Sequence, residues 1–478
     1  MMSLRLFQRF GRLLYIFAGL FALNSLICLM MFQLNAALSF FFMASASGFS
    51  GFVFVMSSAI PKHVETNVDA LLFLIMFWIV APIMAAVPFA MIGPNMTVAS
   101  LLFEGVGAIT TSGASAFLPS ELSPALLIWR GLAQFLGGVS VTTFAIVILA
   151  SLNMTGTGVH RSLLFTYEHE NLFARIISIG KVVGIVYFGL VILSIAVLLL
   201  GGATPFHAMC LALGGVSTGG LSPIDGPLAT ILSPIGAFLF SVICLFGAFN
   251  FAVIWDVLRL RSIKSVVRIF TNVEHRALLV LIGILLLVSV LYFNGAHIID
   301  SLIEAIFFVS TTGFDYNIIA LEMTPSILLI IFALVGGSAL STAGGLKIIR
   351  LLLLFRHLET DLSRLSHPSR VFPVKFRGQL IRDRSFVSIW MYFFGYTLVF
   401  GLGILSFAAS NIEFESAVTL SAGMLSNMAP LLQYTFSDST LLMLDDGQKL
   451  VAVALMYAGR VEVLAIFALL STTSWRNR

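Results

Sequence analysis

Thr110-Thr111-Ser112-Gly113-Ala114, Val216-Ser217-Thr218-Gly219-Gly220, Ser310-Thr311-Thr312-Gly313-Phe314 and Ser426-Asn427-Met428-Ala429-Pro430 are four versions of one segment. Aligned on their fourth residues, they recur at intervals of 106, 94 and 116 residues. Each closes a short apolar run, at about 99–109, 205–215, 299–309 and 412–424. Runs of that length are too short to cross a bilayer and suit re-entrant helices. Longer apolar windows flank them. The order span, half-helix, polar segment, span therefore repeats four times, with a period of roughly 100 residues.

Composition agrees. Of 478 residues, 59% are hydrophobic, 10% are charged, and 44 are Phe. Mean hydropathy is +1.05. A soluble fold cannot hide so much apolar surface, which excludes a soluble enzyme and a disordered chain alike. Windows of about 20 apolar residues fall near 13–33, 38–60, 69–92, 126–150, 177–200, 231–256, 277–293, 325–355, 387–409 and 448–472. The expected fold is thus an all-α integral membrane protein. It has ten transmembrane helices and four re-entrant pore half-helices, in four pseudo-symmetric span–pore-loop–span repeats. The expected units are two leading spans in 1–64, then repeats in 65–160, 161–268, 269–370 and 371–478. The first window follows Arg5, Arg9 and Arg12 but is too long for a signal-peptide core, so it reads as a retained helix.

Charge sets the orientation. The connections 93–125, 201–230, 294–324 and 410–446 contain no Lys or Arg, yet carry Glu104, Glu121, Asp225, Asp300, Glu304, Asp315, Glu322, Glu413, Glu415, Asp438, Asp445 and Asp446. The alternate connections hold Lys62, Arg161 and Arg175, then Arg259, Arg261, Lys264, Arg268 and Arg276, then a basic loop over 356–384. By the positive-inside rule, the basic loops and both termini are cytoplasmic, and the re-entrant segments open outward. The net charge of +4 is then topological and implies no nucleic-acid partner. Acidic outer loops concentrate cations at a mouth. They also follow simply from keeping Lys and Arg inside.

A cation leaving water needs its hydration oxygens replaced, and rings of backbone carbonyls do this. Turning successive carbonyls one way takes an unusual backbone, which glycine tolerates. Hydroxyl side chains can brace it, and a half-helix ending there directs its negative end at the ion. One Ser/Thr/Gly cluster reads equally well as helix packing. Four in register read as a filter. Cys28, Cys210 and Cys244 lie in apolar runs without metal-ligand spacing and read as buried thiols. His207 and His297 stand alone, and no phosphate loop, HExxH or GxSxG is present. No catalytic constellation emerges.

With these segments the chain resembles the TrkH-type members of the Trk/Ktr/HKT cation transporter superfamily. Further matching stretches are Trp129-Arg130 through Gly137-Gly138, Gly247-Ala248-Phe249-Asn250-Phe251, Ser341-Thr342-Ala343-Gly344-Gly345-Leu346-Lys347 and Gly459-Arg460-Val461-Glu462. The resemblance implies potassium uptake across a bacterial inner membrane by a homodimer with a cytosolic nucleotide-binding regulatory subunit. Potassium is then the cargo, and no catalytic cofactor is needed. The implied pore oxygens come from Thr111-Ser112-Gly113, Ser217-Thr218-Gly219, Thr311-Thr312-Gly313 and Asn427-Met428-Ala429.

The fourth segment departs from the family's Asn-x-Gly-Pro-Gly, with Ala429 at the glycine and Leu431 after the proline. If that backbone is left-handed, alanine costs about 1–2 kcal/mol. If it relaxes, one wall shifts, and a sodium-conducting or weakly selective pore becomes the alternative. The stretch 336–345, with Gly336, Gly337, Gly344 and Gly345, interrupts an apolar run. It resembles the family's intramembrane gating loop, with Lys347 at its end; a packing kink is the plainer reading. Arg460 lies inside the last apolar window, where an ionisable group is expensive. By resemblance it projects below the filter as an electrostatic barrier. A structural ion pair is the other reading, although Glu462, two residues on, faces another side. Arg130 and Lys449 lie near outer span ends and are expected to snorkel. A coupled secondary transporter would need midplane carboxylates on broken helices, and none is clearly central.

Overall fold

The computed structural model describes residues 2–57, 67–151, 172–292, 297–317, 321, 324–367, 375–376, 379–380, 383–435 and 439–460. Lys62, Arg161, Glu322, Asp438, Glu462 and the 461–472 end of the last expected span lie outside them. The described chain is helical apart from a two-residue pairing of Lys375–Phe376 with Gln379–Leu380.

Seven helices are long and apolar enough to cross a membrane: Phe7–Met30, Leu34–Met56, Leu72–Ile92, Pro124–Val147, Ala174–Leu200, Val273–Tyr292 and Phe386–Ala409. Pro234–Ala248 and Phe251–Leu260 are together long and apolar enough for one further, bent span, meeting at 104°. The pair covers the apolar window expected near 231–256. Asn250 makes the break by capping the second half, its side chain accepting from the Ala252 amide at 3.1 Å. The window 325–355 divides as foreseen, into Ser326–Val335 and Ile348–Ser366 around the glycine-rich loop.

Burial separates inner from outer helices. Pro124–Val147 is 78% buried, against 22–44% for the other six long helices, so it lies at the centre and they lie at the periphery. The N-terminal hairpin packs on it through Phe21, whose ring lies 4.7 Å from that of Trp129. The Trp129 indole donates to the Ala85 carbonyl at 2.8 Å, which ties the helix Leu72–Ile92 to the central Pro124–Val147. Cys28, Cys210 and Cys244 are buried free thiols.

Four short helices lie among the spans: Val98–Ile109, Pro205–Val216, Ile298–Val309 and Phe414–Leu425, each of 12 residues. Thr97 and Thr204 cap the first two by accepting from the amides of Ser100 and His207.

Candidate functional site

All four short helices end the same way. Thr110, Ser217, Ser310 and Ser426 are the last residues with helical geometry, and each hydroxyl bonds back into its own helix, to the carbonyls of Val106, Leu213, Phe307 and Ala422. The next residue is left-handed in every case: Thr111 (φ 52°), Thr218 (53°), Thr311 (57°) and Asn427 (52°). Its amide reaches back three residues, and the following amide reaches back five, as from Ser112 to Gly107 at 3.1 Å and from Met428 to Gly423 at 2.8 Å. This pair of hydrogen bonds is the Schellman cap, which usually takes glycine at the left-handed position. Three β-branched threonines there are strained, by about 1–3 kcal/mol each. The left-handed turn recurs at one position in four helices, strained at the three threonines and tolerated at Asn427, and that recurrence points to function.

These ends correct the register read from sequence. Thr218, not Ser217, corresponds to Thr111, Thr311 and Asn427, and Ser217 corresponds to Thr110. The second segment is therefore Thr218-Gly219-Gly220. Two residues beyond each left-handed residue the chain is left-handed again at Gly113 (φ 73°), Gly220 (71°) and Gly313 (69°). The adjacent glycines serve different ends. Gly220 supplies the conformation, whereas Gly219 supplies space: a Cβ there would sit 2.5 Å from Cδ of the Gln134 side chain. Ala429, at the equivalent place, is not among the residues of positive φ. The strain expected if it were left-handed is thus absent. Its backbone has relaxed, and its amide donates to the carbonyl of Ser112 at 2.8 Å.

The left-handed side chains point at the glycine-rich loop and at Arg460. The Thr111 hydroxyl accepts from the Arg460 guanidinium, Thr218 donates to Thr342 at 2.9 Å, and Thr311 accepts from the Gly344 amide at 3.1 Å. Asn427 lies against Gly459, where a side chain would collide with its amide group. Within the loop, Gly336 (φ 69°) and Gly345 (φ 76°) take conformations that favour glycine, and the Gly337 and Gly345 amides donate to the carbonyls of Gly344 and Ser426. The Lys347 ammonium folds onto the carbonyls of Ser341 and Ala343. Arg460 is 8% exposed. Among the described residues its bonds go to uncharged oxygens: the carbonyls of Thr110, Thr111 and Thr342 and the Thr111 hydroxyl. A cavity of about 40 Å³ beneath is lined by Gly344, Gly345, Lys347, Gly459 and Arg460.

On the other side a cavity of about 210 Å³ is lined by Gly113, Gly220, Gly313, Ala429 and Pro430, with Asp225 and Asp315. These two carboxylates are the part of the expected acidic rim that reaches it. Glu104 and Glu304 are fully buried instead. Glu104 accepts from the Ala116 amide at 2.8 Å, and Glu304 accepts from the Tyr316 and Asn317 amides and the Tyr434 hydroxyl. Each thereby clasps the chain returning from its own segment. Sequence reasoning took them for rim charges. The available signal was that each precedes its segment's glycine, Gly113 or Gly313, by nine residues. Arg130 does not snorkel: it is 2% exposed and pairs with Glu104 at 3.2 Å. Lys449, half-buried, donates to Ser100 at 3.0 Å.

Against this geometry, the family model described as TrkH, cation transport protein, matches residues 33–475. The chain belongs to the TrkH family. Its members are transport proteins, not enzymes. The Trk system potassium uptake protein TrkH of Escherichia coli (strain K12) is 27% identical over 419 residues, covering 86% of each chain. TrkH of Salmonella typhimurium is 27% identical over 485 aligned positions, covering 98% of each. The crystal structure of the potassium transporter TrkH from Vibrio parahaemolyticus matches with a TM-score of 0.86 at 26% identity, over 100% of both chains. This TrkH-family chain is accordingly a multi-pass membrane protein.

Proposed function

We propose that the chain takes up potassium through a pore formed where the four short helices converge. The observation that carries the reading is the fourfold recurrence of one helix end, with a left-handed Thr or Asn followed by glycine in three cases. Carbonyls of Thr111-Ser112-Gly113, Thr218-Gly219-Gly220, Thr311-Thr312-Gly313 and Asn427-Met428-Ala429 would replace the ion's hydration shell. The helix C-termini add their negative ends. Passage needs no chemistry, because the membrane field supplies about 2.3 kcal/mol per charge per 100 mV. Relatives named potassium uptake proteins support potassium as the cargo.

In this reading the described spans extend to ten, in two leading helices (1–64) and four repeats (65–160, 161–268, 269–370 and 371–478), with both termini in the cytoplasm of a bacterial inner membrane. The loop 336–345 and Arg460 form the gate. The guanidinium rests on carbonyls of the first segment, so it acts as a tethered cation at the filter's inner end, and Lys347 holds the loop in place. The active form is a homodimer controlled by a cytosolic nucleotide-binding subunit that docks on the basic loop 356–384.

One observation favours a second reading. The bond from the Ala429 amide occupies the Ser112 carbonyl, which leaves one wall less able to coordinate and loosens selection against sodium. The deciding experiment is the reversal potential of the purified protein in liposomes under opposed potassium and sodium gradients. A value at the potassium equilibrium potential supports the first reading, and a value near zero the second. Absence of cation flux even with the regulatory subunit present would overturn both.

A further inference from the structure

The helix Ile263–Thr271 connects the bent span to Val273–Tyr292. Its residues Ile263, Val266, Val267 and Phe270 form one stripe at helical spacing and are 84%, 44%, 50% and 64% exposed. Arg259, Arg261, Lys264 and Arg268 accompany the stripe, and no carboxylate occurs between Asp256 and Glu274. An uncovered apolar stripe flanked by cations is the make-up of a helix lying in the headgroup plane. Its depth agrees, because the 20-residue span Val273–Tyr292 matches a hydrocarbon thickness of about 30 Å. The helix preceding it therefore sits at the membrane boundary.

We infer that Ile263–Thr271 binds anionic phospholipid of the cytoplasmic leaflet, and that its seating is transmitted to the intramembrane loop. The occupant follows from charge and continuity. The cations match anionic headgroups, and the stripe continues exposed apolar surface at Leu258 and Leu260 before it and at Val280 after it. Transmission runs through an unbroken chain of hydrogen bonds. The Ile269 carbonyl meets His275 Nδ1 at 2.8 Å, and His275 Nε2 accepts from the Asn250 amide at 2.9 Å. Because that amide can only donate, Nδ1 carries the hydrogen and donates to Ile269. The Asn250 side chain donates to Glu274 at 3.1 Å, and the other oxygen of Glu274 accepts from the Ala339 amide, inside the loop, at 2.7 Å. Displacing the surface helix thus pulls on the loop that bears Thr342, an Arg460 partner.

The test uses the full chain in phosphatidylcholine vesicles with and without phosphatidylglycerol. Phe270→Cys carries an environment-sensitive fluorophore, while the buried Cys28, Cys210 and Cys244 are protected from labelling. The label is expected to be quenched by lipids spin-labelled on the acyl chain, more strongly with phosphatidylglycerol. K264Q with R268Q should lower that anionic preference by about thirtyfold. Rubidium flux should depend on phosphatidylglycerol in the parent chain. In H275Q it should lose that dependence while the quenching stays. A label unquenched in both vesicles, or quenched equally, overturns the lipid site and leaves the stripe to a protein partner. Parent flux indifferent to phosphatidylglycerol overturns the coupling. Only the flux arm rests on the transport reading: quenching without flux in any lipid would support the lipid site and count against transport.

Discussion

The first and fourth segments touch, through the Ala429 amide and the Ser112 carbonyl, and they are built differently. Behind the first, Glu104 and Arg130 form a buried pair that clasps the returning chain, and Gly113 takes a positive φ. The fourth has Leu420 where the first has Glu104, and Ala429 keeps an ordinary backbone. Both nevertheless end their helices in the same left-handed cap, at Thr111 and Asn427. The helix end is therefore set locally, by a hydroxyl and two amides, whereas the course of the chain beyond it depends on a glycine and a buried anchor. A segment lacking both leans on its neighbour.

Removing the anchor should have the largest effect. Arg130→Met leaves Glu104 buried without its cationic partner, and a loss of about 3–5 kcal/mol is expected. Denaturant or thermal unfolding in detergent will check it, and E104Q combined with R130M should recover part of the loss. An unchanged midpoint for Arg130→Met would mean that the first segment stands without its clasp.

Gly113→Ala makes the first segment resemble the fourth. Left-handed alanine is strained by about 1–2 kcal/mol, and its Cβ would lie 2.6 Å from the Gly219 carbonyl. Cation flux should fall and the potassium-to-sodium permeability ratio should drop, as read from reversal potentials in liposomes.

Arg460→Gln asks which segment the tethered cation holds. Its bonds go to Thr110 and Thr111 of the first segment. Flux without the regulatory subunit should rise several-fold, and stability should change by no more than about 1–3 kcal/mol. Unaltered basal flux would confine Arg460 to packing.

Ala429→Gly should be the mildest in stability. Glycine at an ordinary φ is destabilising by roughly 0.5–1 kcal/mol. Yet it permits the backbone of the other three segments, so the permeability ratio should shift toward potassium. An unmoved reversal potential would show that the Ala429–Ser112 bond does not govern selection.

Much of this was legible without coordinates. Membrane spans follow from composition, because a window of apolar residues can only be stabilised in lipid. Four short helices follow from run length, and the loop from four glycines in 336–345. The second segment was legible only to within one residue. Gly219 and Gly220 are adjacent, and no periodicity says which one turns; that depends on where Val216 ends its helix and where the Gln134 amide lies.

Residue pattern alone shows what recurs: the bilayer sets span length, and a helix end needs only a hydroxyl and amides close by in the chain. Tertiary structure alone decides what is paired. Glu104 meets Arg130 across 26 residues, and Arg460 reaches Thr110 across 350. Such contacts depend on the packing of whole helices, so a charge read in isolation as snorkelling or lining a rim is instead found holding a segment in place.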